Sequence, residues 1–138
     1  MSERRKPKAD IKAAKVRIEA KGSLANDEYA RFELFVNGLL VAQQLTSGQY
    51  QYYEFDVDFS VTQIDKIEVH FINDYYGNGQ DRNLYIRAIT IENQLNGDSK
   101  HYDYQDENFN LIRSGQLLEK PNMLPIIPWD VGHVELSL

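Results

Sequence analysis

Two aspartates seven positions apart, Asp74 and Asp81, are the residues of this chain best placed to do chemistry. They stand in the run Phe71-Ile72-Asn73-Asp74-Tyr75-Tyr76-Gly77-Asn78-Gly79-Gln80-Asp81-Arg82-Asn83-Leu84-Tyr85-Ile86. A strand-like segment ends in Asn-Asp, a glycine-rich loop turns the chain, and Asp-Arg-Asn opens the next strand-like segment. Carboxylates converging across such a loop repel one another unless a cation lies between them. Ca²⁺ suits that position because it takes roughly six to eight oxygen ligands from carboxylates, main-chain carbonyls and water. The spacing is not that of an EF-hand. With Asp74 as first ligand, Tyr76 falls third and Tyr85 twelfth, where oxygen ligands are required. The same residue types also fit a plain hairpin with solvated acids, because Asp, Asn and Gly favour turns for local reasons.

Other constellations are weaker. Glu54, Asp56 and Asp58 alternate along one run, and paired carboxylates hydrolyse glycosides. An acidic, solvent-facing edge strand is the commoner meaning of such a pattern. His70, His101 and His133 show no metal-ligand spacing along the chain. The sequence has no nucleophile elbow and no phosphate loop. It has no cysteine, which removes disulfides, zinc–thiolate sites and cysteine nucleophiles together.

The elements that must position the aspartates read as strands. Apolar residues alternate over Ala14 to Ala20, Tyr29 to Val36, Leu39 to Leu45, Tyr50 to Phe59 and Ile67 to Ile72. Asn37-Gly38 between two such runs is a strong hairpin signal, since a type I′ turn needs positive φ at both central positions. Leu84 to Glu92 is apolar enough for a central strand, and Asn96-Gly97 turns the chain towards His101 to Tyr104. Leu111-Ile112 and His133 to Leu138 read as short strands, separated by a stretch punctuated by Pro121, Pro125 and Pro128. No segment keeps a helical period over ten residues. About eight short antiparallel strands predict an all-β, jelly-roll-like β-sandwich spanning 14–138, behind a flexible basic tail at 1–13.

Charge is uneven. Residues 1–21 hold eight of the fifteen Lys and Arg and three acids; the rest holds seven basic against eighteen acidic residues, a balance of −11. Such a body repels phosphates, so nucleic acid is not an expected partner. The basic start reads as a solvated tail rather than a nucleic-acid arm. No apolar run is long enough to insert in a membrane, and no apolar segment of a signal peptide follows Met1 to Lys8.

Residues 14–95 resemble the calcium-dependent xylan-binding modules, carbohydrate-binding module families 36 and 60. The resemblance rests on Phe71 to Asp74, on Asp81 to Ile86, on the Val36-Asn37-Gly38 turn and on the Tyr53 to Asp56 strand. It implies a non-catalytic module in which a loop Ca²⁺ takes two vicinal sugar hydroxyls into its shell. Asp74 and Asp81 then supply carboxylates and Gln80 a main-chain carbonyl. Arg82 and Asn83 orient the loop or touch the sugar. The family's second calcium site corresponds to the region of Asp27 and Glu28. An aromatic residue, often Trp, stands beside the calcium in that family. The sole Trp here is Trp129, so Tyr75 and Tyr76 are the local substitutes. The resemblance implies a polysaccharide or glycan partner and an extracellular or cell-surface setting, alone or fused to a larger protein. The alternative is a calcium-stabilised structural or adhesive module of an extracellular assembly.

Overall fold

The computed structural model describes residues 14–120 and 132–138. The tail expected over 1–13, the prolines at Pro121, Pro125 and Pro128, and Trp129 lie outside the described residues. Period-2 alternation governs the strands. In β1 (Ala14–Gly22) every second residue is buried, from Ala14 through Val16, Ile18 and Ala20 to Gly22. β2 (Arg31–Val36) buries Phe32, Leu34 and Val36 and turns Arg31, Glu33 and Phe35 outward. The Asn37-Gly38 turn, with φ of 52° and 82°, delivers β3 (Leu39–Leu45) antiparallel to β2. β4 (Gln51–Val57) exposes Glu54 and Asp56 and buries Val57. After a single 3-10 turn at Val61–Gln63, β5 (Lys66–Phe71) buries Ile67, Val69 and Phe71.

Two short strands then form a hairpin of their own, β6 (Tyr75–Gly77) and β7 (Gln80–Arg82). β8 (Leu84–Asn93) follows at once, then β9 (Ser99–Asp103), β10 (Phe109–Arg113), β11 (Gln116–Leu118) and β12 (Gly132–Ser137). A four-stranded sheet, β4-β1-β8-β9, and a six-stranded sheet, β11-β10-β12-β5-β2-β3, carry the fold, with β6-β7 as a separate ribbon. All strand pairs are antiparallel. The core lies between the two sheets. Ile18, Ile86 and Ile89 come from one side and Phe32, Leu34, Ile67, Phe109 and Leu136 from the other. Phe32 meets Tyr53 and Phe55 edge-on, at 6.0 and 6.2 Å between ring centroids.

The expected β-sandwich is therefore the observed one, with three short strands more than the alternation marks: β6, β7 and β11. β12 is not a terminal appendage. It enters the six-stranded sheet between β10 and β5, an insertion that no local pattern in the chain announces.

Candidate functional site

The strand ends around Asp74 and Asp81 are built by three segments that the sheets bring together. The first is the connection from β1 to β2. Asn26 and Asp27 take φ of 49° and 62°, and Ala25 and Glu28 pair across them as a β-bridge, so this loop is a two-residue turn closed on itself. The second is the end of β5, residues Ile72 to Asp74. The third is the β6–β7 hairpin, whose Asn78-Gly79 turn has φ of 50° and 74° and sets Tyr76 opposite Asp81 and Gly77 opposite Gln80.

Arg82 ties the three together. It is only 5% exposed. Its Nε donates to the Glu28 carbonyl at 2.9 Å, one terminal nitrogen to the Asn73 carbonyl at 2.6 Å, and the other to the Ala25 carbonyl. Asn73 reinforces the joint: its Oδ1 accepts from Arg31 N–H at 2.7 Å, and its Nδ2 donates to Tyr29 O at 3.0 Å and Glu28 Oε1 at 3.3 Å. Ser23 Oγ donates to the Asp81 carbonyl at 3.0 Å and accepts from Asn83 N–H at 2.8 Å. Gln80 Oε1 accepts from Asn26 N–H at 2.8 Å. Gly22 sits beneath this joint, and a Cβ there would lie 2.2 Å from Thr46 Oγ1.

Asp74, Gln80 and Asp81 are exposed on this frame. Asn83 Nδ2 donates to Asp81 Oδ2 at 3.3 Å, which orients that carboxylate without burying it. Tyr75 and Tyr76 divide the roles expected of them. Tyr75 is half-buried, lies over the Arg82 guanidinium at 5.3 Å, and crosses Gly77 closely. Tyr76 stands 81% exposed, on the same side of the ribbon as Asp81. Of the two parts expected of Arg82, its buried geometry is that of orienting the loop. Asp27 and Glu28 are exposed and adjoin the hairpin through Gln80, Arg82 and Asn73. The donor chemistry suits a hard cation: carboxylate oxygens exposed at the rim of a loop that buried hydrogen bonds hold in place.

The acids of β4 form no comparable site. Glu54 is paired with Arg17, with N–O distances of 2.6 and 2.7 Å, and Asp56 accepts from Gln94 Nε2 at 3.0 Å. The first is a cross-strand pair with β1 and the second a contact with the chain just after β8, both on the β4 edge of the sheet.

The sequence reading missed one cluster. His70 and His133, 63 positions apart, are directly opposed on β5 and β12 and stack with ring centroids 4.3 Å apart. Glu68 lies between them. Burial, aided by the neighbouring His70, holds the His133 imidazole below its ordinary range. Burial would raise the Glu68 carboxyl, but hydrogen bonds from His70 and Lys66, with the charges of Lys66 and His133, together hold it below the usual carboxylate range. Spacing along the chain carries no trace of this pairing because it depends on where β12 inserts.

A family model described as "Ca-dependent carbohydrate-binding module xylan-binding" (CBM60) matches residues 15–106. Two solved structures of the module vCBM60 are similar in fold. A selenomethionine form is 18% identical with a TM-score of 0.58, covering 90% of this chain and 90% of that one. A complex with galactobiose is 16% identical with a TM-score of 0.59, covering 89% of this chain and 97% of that one. No functionally curated protein matches the chain.

Proposed function

The chain belongs to carbohydrate-binding module family 60, and from that premise we propose that its β6–β7 hairpin holds a Ca²⁺ ion through which it grips a polysaccharide. Asp74 and Asp81 supply the carboxylates and Gln80 a main-chain carbonyl. The remaining positions are filled by water in the free module and by a pair of sugar hydroxyls in the complex. Ca²⁺ exchanges water for neutral oxygen readily and tolerates an irregular shell, so it accepts such a pair. Tyr76 offers an apolar face to sugar C–H groups beside the ion. Asn83 orients Asp81. Arg82 and Tyr75 hold the hairpin against the β1–β2 loop, and a second ion is assigned to Asp27 and Glu28.

The observation that carries this reading is the family match over residues 15–106. Asp74 and Asp81 are exposed where that family's calcium loop falls, on a frame that Asn73, Arg82 and Ser23 hold together. The galactobiose complex of a similar fold supports a saccharide ligand. The module is non-catalytic on this reading and works outside the cell, within residues 14–138, tethering itself or a fused neighbour to a β-linked polysaccharide. The basic segment 1–13 is then a tail outside the binding domain.

The test is pull-down on insoluble xylan and cellulose, with oligosaccharide titration, in calcium, magnesium and EDTA. Binding in calcium alone is expected, and Asp74→Asn or Asp81→Asn should abolish it while the circular dichroism spectrum stays unchanged. Equal affinity in all three buffers would assign the binding to Tyr76 instead. No affinity for any glycan in calcium would favour the assembly module, and release of reducing sugar would make the module an enzyme.

A further inference from the structure

The outer face of the six-stranded sheet carries chemistry that the hairpin does not use. In the β5–β12 ladder His70 is opposite His133 and Glu68 is opposite Glu135. Alternation puts all four side chains on one face as a two-by-two block. The imidazole planes lie within 10° of parallel, and both Nε2 atoms lie within 3.8 Å of one carboxylate. His70 Nε2 is 3.1 Å from Glu68 Oε1 and His133 Nε2 is 3.8 Å from Glu68 Oε2. One ligand atom from each of Glu68, His70 and His133 falls within a sphere of mutual distances no greater than 4.8 Å.

Three further observations bear on what this block is for. His133 Nε2 is shielded from water and has no hydrogen-bond partner, although Glu135 Oε1 stands 3.5 Å away. A buried imidazole nitrogen without a partner is costly to leave so. The His133 and Glu68 side chains are only 14% and 17% exposed, so water competes weakly for them. Phe35 packs edge-on against His70 at 4.9 Å and fixes its ring. One group opposes a cation here: Lys66 Nζ lies 3.3 Å from Glu68 Oε2. Its side chain is 42% exposed, free to swing into solvent.

We propose that Glu68, His70 and His133 bind a divalent transition metal, with Zn²⁺ the ion of choice and Glu135 beside it as fourth ligand or hydrogen-bond support. A tetrahedral Zn²⁺ with bonds near 2.0–2.2 Å spreads its ligands about 3.4 Å apart, so on binding the ligand atoms draw together and the stacked rings turn out of parallel. Imidazole nitrogen selects zinc, copper or nickel and not calcium, which takes oxygen. The module then carries two sites for two kinds of ion, on different surfaces. Zinc at this place joins β5 to the last strand of the chain and fastens β12 into the middle of its sheet.

The test uses the untagged chain in calcium-saturated, chelator-free buffer. Zn²⁺ is titrated by calorimetry into the wild type and into His70→Gln, His133→Gln and His101→Gln, with folding checked by circular dichroism. One Zn²⁺ per chain is expected, with a raised melting temperature. His70→Gln and His133→Gln should each weaken it about tenfold or more, while His101→Gln changes nothing and all variants keep glycan binding. Lys66→Met removes the competing cation and should tighten zinc, which keeps the proposal open to test even if a histidine variant misfolds. A wild type that takes no zinc, histidine variants that bind as the wild type does, or a site lost with His101 would each overturn it. Failure of the calcium reading would show in the glycan arm and leave the zinc arm unaffected.

Discussion

Arg82 shows what a single residue does to the site and how much of that its sequence position conceals. Between Asp81 and Asn83 nothing in the sequence marks it as a buried residue. In the fold it is buried and donates to the carbonyls of Ala25, Glu28 and Asn73. Two of these lie more than fifty positions away, so only the completed sandwich brings them together. Tyr75 and Tyr76 were legible as a pair, because alternation must put one inward. Which one depended on Arg82 being buried to receive it. The expected cost of Arg82→Lys follows: an ammonium cannot bridge three carbonyls set around a planar fork, and buried acceptors lose their partner. A loss of about 2–4 kcal/mol is expected, together with weaker calcium binding, since the hairpin loses its anchor. Urea unfolding with and without calcium measures both, and an unchanged midpoint would show the clamp to be dispensable.

At the scale of elements, alternation served well where strands are regular and failed where they are not. β1, β2 and β5 could be read residue by residue. β8 could not, because Leu84 and Ile86 face the core on even positions while Ile89 and Ile91 face it on odd ones. The register against β1 shifts between Ala20–Ile86 and Glu19–Ala88, so Arg87 is a bulge that restores the buried face. Beyond β9 the strands at Leu111-Ile112 and His133 to Leu138 were legible as β10 and β12, but not their places in the sheet, because β12 pairs with β5, far away in sequence. Tyr104, which follows β9 and packs edge-on against Phe109 at 6.1 Å, is part of that joint. Its hydroxyl is buried without a hydrogen-bond partner, and burial raises its pKa. The native state therefore keeps this proton above pH 10, where the unfolded chain has begun to lose it. The associated stability is whole below about pH 10 and declines as pH rises through the folded value. Tyr104→Phe should be at least as stable as the wild type at pH 7, by up to about 1 kcal/mol, and should lose less between pH 9 and 11. Melting temperatures across that range decide it; a variant markedly less stable at neutral pH would mean that the hydroxyl has a partner after all.

For the whole molecule, the placement of the site explains why an ion at one rim should be felt throughout. The hairpin is not attached at a single point. It is pinned to the β1–β2 loop, to the end of β5 and to the start of β8, and those strands belong to both sheets. On the proposed reading, an ion held by Asp74 and Asp81 would be bound only while the sandwich is folded. The body around it is acidic, at −11 beyond residue 21, which favours cation binding and adds repulsion when the ion is absent. A ligand restricted to the native state stabilises by about 2.7 kcal/mol at a hundredfold excess over its Kd. For a domain of this size that is a rise of several degrees in Tm. Mg²⁺ demands a tight octahedron and keeps its waters, so it should reproduce little of the gain. The expected order of melting temperatures is calcium, then magnesium, then EDTA, with Asp81→Asn responding less than the wild type to the change of buffer. Superimposable melting curves in calcium and EDTA would mean that the two carboxylates are the solvated ends of an ordinary hairpin, and that the module must hold its glycan without the ion.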